Sequence, residues 1–261
     1  MKTLNFLIAF ISLGLLLASC DEGGISPSEG SGSGGSRARF TIMGDQLYAA
    51  EGRTLNVFDI KNPAKPTFES SDAVILPQFP NQDPIVKTIY PLDSNTLIVG
   101  ALDGAHFYDL TTPTEPRKIG FSYAAKGCDP IVANQRYAFA SISSKRDLCT
   151  HSRNEVRVLD IQNLQDIEQV NSRQLTNPRG LGLRKDRLFV ADSGLKVYDV
   201  RAPTSRMVLE DRFPNVQAND VIPLNNSLLV IGDASFIQYQ YTERGLREQA
   251  RLTFNPSPYV E

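Results

Sequence analysis

The pentapeptide NVFDI at residues 56–60 ends a pattern of short apolar runs and turns that occurs five times along the chain. The later copies are HFYDL at 106–110, RVLDI at 157–161, KVYDV at 196–200 and IQYQY at 237–241. The marker position, aspartate in four copies and Gln240 in the fifth, recurs after 50, 51, 39 and 41 residues. Because several β-patterned runs in a period of about 40 to 50 residues are typical of β-propellers, the sequence predicts an all-β propeller of five blades, each with four antiparallel strands.

Each repeat divides into four strand-like segments with turn residues between them. The second segment is the most apolar, as in LIVGA at 97–101 and LFVA at 188–191. A strand buried on both faces between neighbouring blades has this composition. The fifth copy departs most from the pattern, since it has Gln240 for aspartate and no proline turn, which leaves open whether it closes as a full four-stranded blade.

The marker aspartate stands before a proline-bearing turn. NPAKP at 62–66 follows Asp59, and TPTEP at 112–116 follows Asp109. A short carboxylate at this position can accept backbone N–H groups, and proline fixes φ in the turn. We therefore predict that the marker aspartate stabilises the turn and has no catalytic role.

The first 36 residues are predicted to lie outside the folded domain. Lys2 and the apolar run at 4–18 are typical of a secretory signal, and the run is shorter than the roughly 20 residues of a membrane span. The run ends in LASC at 17–20, which resembles the bacterial lipobox and implies cleavage before Cys20 and acylation of that residue. The alternatives are an ordinary signal peptide and an uncleaved anchor. We divide the chain into a signal peptide (1–19), acylated Cys20 with a flexible Gly/Ser linker (20–36) and one propeller domain (37–261).

The predicted location is the outer membrane. Asp21 and Glu22 directly follow Cys20, and acidic residues there resemble the sorting signals of lipoproteins sent to the outer membrane or the cell surface. We expect a lipoprotein on the periplasmic or the cell-surface side, with the lipid membrane as a partner through Cys20. A formal net charge of −2 provides no electrostatic basis for binding nucleic acid.

The repeats resemble a known family. YAAEGRTLNVFDIKNPAKP at 48–66 is similar to the repeat of the LVIVD-repeat β-propellers of bacterial surface and secreted proteins. The stretch from GCDPIV at 127–132 to the marker at 160 resembles a Bacteroidetes lipoprotein subgroup of that family. The resemblance implies a fold and a location outside the cytoplasm, and it carries no catalytic residues.

Cys128 and Cys149 are the two cysteines that remain after Cys20. In an oxidising compartment an even pair favours a disulfide. Cys128 precedes the first strand of repeat three, and Cys149 lies in the insertion at 143–154, two places on the same face of a propeller. A bridge there would stabilise the fold by roughly 3 kcal/mol on the chain-entropy model. The alternative is a metal pair with His151, which lacks third and fourth ligands.

One face of the predicted propeller has a polar rim, because the loops before the first strands and the loops joining the second and third strands share that face. Aspartate and glycine are common in tight turns, so the rim residues have a structural interpretation. They also have a functional one: a polar funnel for a ligand or a hard cation such as Ca²⁺, which takes six to eight oxygen ligands. The candidate rim residues are Asp83, Asp129, Arg179, Asp220, Asp103, Asp192 and Asp233, with Glu51 and Arg53 beside them.

No familiar catalytic motif occurs in a suitable context. The leading interpretation is a membrane-tethered, non-enzymatic propeller that presents its rim loops to a protein or glycan partner. One alternative is a propeller hydrolase or lyase that uses rim carboxylates and Arg179 at the axis. Another is an envelope protein with no discrete site.

Overall fold

A computed structural model describes residues 37–74, 86–126, 130–144 and 153–255. These residues form five four-stranded antiparallel sheets, and the strands of each sheet are hydrogen-bonded in chain order. The predicted all-β propeller architecture is therefore confirmed. The predicted lipidation site Cys20, the pair Cys128 and Cys149, and the rim residues Asp83 and Asp129 lie outside the described residues. Within those ranges, no helix has the length and apolar character needed to cross a membrane.

Each blade consists of four consecutive strands. Blade one contains β1 (Phe40–Met43), β2 (Gln46–Glu51), β3 (Thr54–Asp59) and β4 (Thr67–Ala73). Blade two contains β5 (Val86–Pro91), β6 (Thr96–Ala101), β7 (Gly104–Asp109) and β8 (Arg117–Ser122), and blade three β9 (Ile131–Ala133), β10 (Tyr137–Ile142), β11 (Glu155–Asp160) and β12 (Glu168–Gln174). Blade four contains β13 (Pro178–Arg184), β14 (Arg187–Asp192), β15 (Leu195–Asp199) and β16 (Val208–Phe213), and blade five β17 (Asp220–Pro223), β18 (Ser227–Ile231), β19 (Ser235–Thr242) and β20 (Gly245–Thr253). The fifth blade thus has all four strands, although its repeat has diverged.

Apolar side chains of neighbouring blades pack in four buried clusters, one between each consecutive pair of blades. Strand alternation assigns the two faces of each third strand. The residue just before the marker faces the preceding blade, and the residue two before it faces the following blade. The residues just before the marker are buried in four blades: Tyr108, Leu159, Tyr198 and Tyr239. The residues two before the marker are also buried in four blades: Val57, Phe107, Val158 and Val197.

Blades five and one are not joined by any of these clusters in the described residues. Phe58, the residue just before the marker in blade one, is only half-buried, whereas the equivalent residues of blades two to five are buried. Gln238, two residues before the marker position in blade five, is polar, whereas blades one to four have valine or phenylalanine there. Phe68 on the blade-one face is 60% exposed, and Leu252 on the blade-five face is 65% exposed. These two end faces are therefore less covered than the faces between consecutive blades.

The marker aspartates stabilise turns, as predicted. In all four copies the carboxylate Oδ1 accepts the backbone N–H of the residue two positions later, at 2.7 Å for Asp59, 2.9 Å for Asp109, 3.0 Å for Asp160 and 2.9 Å for Asp199. Gln240 instead accepts a hydrogen bond from Arg247 at 2.6 Å, within its own hairpin. The loss of the aspartate in copy five thus accompanies the loss of the turn.

Two marker carboxylates have acid-shifted titrations. Hydrogen bonds from the side chain and the backbone of Thr111, with a further one from Arg117, lower the pKa of Asp109 to about 2. Hydrogen bonds from the side chain and backbone of Arg201 lower the pKa of Asp199 to about 2. Donors to a carboxylate favour its charged form.

Candidate functional site

Asp192 is buried at the rim, and its carboxylate is occupied by neighbouring groups. It accepts hydrogen bonds from the backbone N–H groups of Thr176 at 3.1 Å and Asn177 at 2.5 Å, and from Lys196 Nζ at 2.6 Å. The side chain of Asp192 is 0% exposed. Because a buried carboxylate is stabilised only by such donors, Asp192 fixes the segment that leads into blade four.

Arg179, Asn219 and Asp233 form a chain of hydrogen bonds across the rim between blades four and five. Arg179 Nη1 donates to Asn219 Oδ1, and Asn219 Nδ2 donates to Asp233 Oδ1. Asp220 lies next to this chain but is buried in the blade interface. A Cβ atom on Gly180 would lie 2.3 Å from Asp220 Oδ1, so the two blades make close contact there. The structure thus connects Arg179 and Asp233 through Asn219 and buries Asp220.

Asp103 interacts within its own blade. Its Oδ1 lies 2.9 Å from His106 Nε2, and the His106 side chain is 0% exposed. The imidazole packs on the ring of Phe121 at a centroid distance of 4.8 Å. Asp103 is therefore directed toward the packed interior of blade two.

The described rim residues form no cluster of metal ligands. In the part of the chain that the structure describes, no group of three or more histidine, cysteine, aspartate or glutamate side chains could hold a metal ion. Calcium binding by a rim that includes Asp83 and Asp129 stays a prediction, since both residues lie outside the described ranges.

A second site lies on the opposite side of the blades, where the third and fourth strands are joined. We call this connection the closing turn. In blade two it packs on blade one through its backbone carbonyl groups. The Tyr48 hydroxyl donates to Pro113 O at 2.8 Å, and the Ser70 hydroxyl donates to Thr114 O at 2.5 Å.

The closing turns of blades three and four make the same kind of contact. Leu164 of blade three packs so tightly on Gly120 that a Cβ there would lie 2.4 Å from Leu164 O. In blade four, Pro203 is buried and its carbonyl accepts a hydrogen bond from Asn171 Nδ2 at 2.6 Å. Each of these turns covers the outer corner of the groove between its own blade and the preceding one.

Blade five has no closing turn. β19 continues to Thr242 and β20 begins at Gly245, so Glu243 and Arg244 alone join the two strands. Gly245 has a φ of +112°, which glycine adopts without the steric cost that other residues would incur. The corner between blades four and five, which a closing turn covers in the other grooves, is therefore open.

A cavity of about 330 Å³ occupies this corner, and we call it the blade 4–5 cleft. Ligand-binding pockets span roughly 300 to 1,000 Å³ and combine apolar walls with a few polar groups, so its size lies at the lower end of that range. Its apolar walls are formed by Phe189, Val197, Tyr241 and Leu246, and its polar and remaining lining residues are Arg187, Glu210, Asp211, Glu243, Arg244 and Gly245.

Tyr241, a residue of the cleft wall, has a hydroxyl group without a partner. Its oxygen is buried and has no hydrogen-bond partner among the described residues. The ring is held between the Arg184 guanidinium, 4.1 Å from the ring centroid, and Phe189, with ring centroids 6.1 Å apart. Burial raises the pKa of Tyr241 to about 12, so the hydroxyl keeps its proton at neutral pH. The hydroxyl group is therefore an unsatisfied donor that is closed to solvent.

A smaller, charged cavity of about 280 Å³ adjoins the cleft on blade four. The ion pair between Arg187 Nε and Glu210 Oε2, at 2.8 Å, contributes to both cavities. The other residues that line the smaller cavity are Arg184, Lys185, Asp186, Asp199 and Arg201. A ligand that extends out of the apolar cleft would meet charges of both signs.

The cleft is not among the sites that the sequence predicts. The irregularity that produces it, the missing proline turn of the fifth repeat, is visible in the sequence but bears there only on the blade count. The available signal was that Tyr241 occupies the position of Leu110, Ile161 and Val200 in the earlier repeats. Tyrosine there adds a hydroxyl group to a position that is otherwise aliphatic.

Comparison with solved structures supports the fold. No protein-family model matches this chain, and no curated protein matches it in sequence. A candidate 6-phosphogluconolactonase from Bacteroides fragilis aligns with a TM-score of 0.58 at 10% identity, over 83% of this chain and 70% of that one. One from Bacteroides uniformis aligns with a TM-score of 0.60 at 11% identity, over 83% and 71%. A Lactobacillus plantarum protein aligns with a TM-score of 0.60 at 14% identity, over 81% and 69%.

These similarities establish architecture alone, because sequence identity is 14% or less. The aligned region covers 70% of the Bacteroides fragilis chain, so the blades of this chain superpose on part of a longer protein.

Proposed function

We propose that this chain is a membrane-tethered, extracytoplasmic β-propeller of the LVIVD-repeat type that binds a protein or glycan partner and catalyses no reaction. The observation that supports this best is the blade 4–5 cleft. It arises where the fifth repeat departs from the other four, and it combines apolar walls with an unpaired buried donor, Tyr241. Propellers present such irregular positions on a rigid scaffold, where loops commonly carry function.

The rim is the second contact surface in this proposal. Asp233 is exposed, and its carboxylate is part of the hydrogen-bonded chain with Asn219 and Arg179. Such a chain orients polar groups at low entropic cost to a bound partner. Its groups pair with one another, so the rim favours recognition over proton transfer.

The tether is proposed from the LASC sequence at 17–20. Metabolic labelling with an alkyne fatty acid should mark the wild-type chain and leave Cys20→Ser unlabelled, while Cys128→Ser keeps the label as a matched control. Equal labelling of all three chains would remove the lipoprotein part of the proposal and leave the binding part intact.

Site-specific photo-crosslinking in intact cells tests the binding proposal. A photoreactive residue at position 243, next to the cleft, should give a discrete higher-mass adduct. The same residue at position 115, in the exposed closing turn of blade two, is the matched control and should give none. Absence of adducts at 243 and also at rim position 233 would contradict the binding proposal.

The enzyme alternative rests on the two structural neighbours described as candidate 6-phosphogluconolactonases. It predicts that the purified chain hydrolyses a phosphosugar lactone and that Arg179→Ala abolishes the activity. Lactone hydrolysis at the uncatalysed rate would remove this alternative.

A further inference from the structure

We infer that exposed apolar residues at the rim-side ends of blades one and five contact the lipid surface to which the chain is tethered. The residues are Phe40, Ile231, Leu252 and Phe254, and we call them the rim-side patch. The inference rests on the proposed membrane tether and names the surface that the folded domain turns toward the lipid. Such a contact leaves the blade 4–5 cleft, on the opposite side of the blades, facing away from the membrane.

In blade five the patch is part of an apolar ladder across three strands. Ile231 lies opposite Phe236, and Phe236 lies opposite Leu252, so the three side chains share one face of the sheet. The other face packs against blade four through Val230 and Ile237. Leu252 is 65% exposed and Ile231 is 36% exposed. The ladder therefore lies on the end face of blade five, which no buried cluster covers in the described residues.

The ladder and Phe254 lie at the rim. The loop between β18 and β19 belongs to the rim, and Ile231 and Phe236 flank it. The backbone N–H of Phe254 donates to Ala234 O in this loop at 3.0 Å, and Phe254 is 50% exposed. Phe254 follows Leu252 by two residues, the spacing that puts side chains on one face of an extended chain. Blade five thus has a contiguous apolar strip at its rim-side end.

Phe40 is the blade-one member of the patch. It is the first residue of β1 and is 58% exposed. The backbone N–H of Ala50 donates to Arg39 O at 2.8 Å, which places the start of β1 beside the rim loop at 51–53. Arg37 and Arg39 are exposed on the same segment. An aromatic side chain with two cations nearby suits the boundary between acyl chains and anionic headgroups.

The length of the proposed tether restricts which surface can meet the lipid. Residues 20–36 separate the lipidation site from Arg37, and a Gly/Ser-rich chain of this length has an r.m.s. span of about 20–25 Å. A compact domain as long as residues 37–261 is roughly 45 Å across. The surface around Arg37 is therefore held near the bilayer, whereas the far side is not. Tethering raises the effective concentration of that surface to the order of 1 mM, so a weak interfacial affinity is sufficient for contact.

Single-tryptophan reporters test the contact, because the chain has no tryptophan of its own. The mature chain carries a hexahistidine tag in place of Cys20 and is held on vesicles of nickel-chelating lipid, phosphatidylglycerol and a phospholipid with brominated acyl chains. Phe254→Trp and Phe40→Trp should each lose about half of their emission relative to vesicles without bromine, since an interfacial apolar residue reaches the acyl boundary. Phe68→Trp is the matched control, because Phe68 is 60% exposed but lies at the marker end of blade one, and it should lose none.

The contribution of charge is measured with the untethered Cys20→Ser chain. One arginine near an anionic surface changes affinity about 5-fold, so Arg37→Ala/Arg39→Ala should weaken binding to phosphatidylglycerol vesicles about 30-fold. Lys61→Ala/Lys65→Ala is the matched control, since both lysines are exposed at the marker end of blade one, and it should leave the affinity unchanged. An equal loss in the two double variants would show that net charge, and not the rim side, determines binding, and would count against the inference.

Failure of this inference can be distinguished from failure of the proposed function, because the hexahistidine tag supplies the tether without acylation. Equal quenching at positions 40, 68 and 254, or no quenching at 40 and 254, would overturn the inference. If fatty acid labels Cys20 while the reporters at 40 and 254 are unquenched, the tether stands and the inference is wrong. If the reporters at 40 and 254 are quenched while Cys20 takes no label, the patch contacts lipid and the proposed tether is wrong.

Discussion

Removing one hydroxyl group from each of two equivalent grooves should change the stability of the chain in opposite directions. Tyr48 donates to Pro113 O at 2.8 Å, whereas the buried oxygen of Tyr241 has no partner in the described residues. Tyr48→Phe therefore loses an interaction, and Tyr241→Phe loses an unsatisfied polar group. Both substitutions keep the ring and its packing.

The expected magnitudes follow from the two environments. An intramolecular hydrogen bond contributes a net of about 0.5–1.5 kcal/mol to stability. Pro113 is exposed, so its carbonyl group can bond to water once the Tyr48 hydroxyl group is removed. We therefore expect Tyr48→Phe to lower the free energy of unfolding by about 0.5–1 kcal/mol. A buried unsatisfied hydroxyl group costs about 1–3 kcal/mol in protein mutational data. Because the Tyr241 side chain is only half-buried, we expect Tyr241→Phe to stabilise the chain by about 1 kcal/mol, the low end of that range.

Urea denaturation of the purified mature chain measures both changes at constant m-value. The two variants should differ in free energy of unfolding by about 1–2 kcal/mol, with wild type between them. A Tyr241→Phe variant that is less stable than wild type by 1 kcal/mol or more would show that its hydroxyl group has an intramolecular acceptor. The cleft chemistry described above would then be refuted.

Three further predictions concern the fold. Asp160→Ala should cost about 1 kcal/mol in urea denaturation, since it removes the acceptor of the Gln162 N–H; no loss would contradict its role in the turn. The pKa values of Asp109 and Asp199 are lowered to about 2 from 3.8. Their stabilising contribution is therefore complete above pH 4 and is lost as the pH falls toward 2, and the wild-type stability should decline over this window more steeply than that of the Asp109→Asn/Asp199→Asn variant. Leu159→Ala should cost about 2–5 kcal/mol, and Phe58→Ala, at the equivalent but half-buried position in blade one, less than about 2 kcal/mol; equal costs would contradict the partial exposure of Phe58.

The architecture could be predicted from the sequence because it depends on local, repeated features. The marker aspartates, the proline turns and the apolar second strands each carry their signal within a few residues, and five copies reinforce one another. The turn role of Asp59 and its equivalents was predictable for the same reason, since the acceptor and the N–H donor are two residues apart. Local signals of this kind do not depend on how blades are arranged around an axis.

The sites depend on contacts between blades, which a single sequence does not reveal. The loop position of Asp192 predicts a rim residue, but its donors Thr176 and Asn177 lie in the segment between blades three and four. The cleft required knowing that a closing turn covers the preceding groove, which appears only in contacts such as Tyr48 with Pro113. Gln238, a polar residue at an otherwise apolar position, was a sequence signal for the uncovered end face of blade five.

Partner capture by two chains in intact cells tests most directly whether the corner between blades four and five binds a partner. One is wild type, and the other has residues 112–116 in place of Glu243 and Arg244, so that blade five has its own closing turn. Both carry a photoreactive residue at position 246, in the wall of the cleft. We expect a discrete protein adduct with the wild-type chain and none with the added turn. An adduct of equal yield in both chains would contradict the claim that the open corner between blades four and five is the binding site.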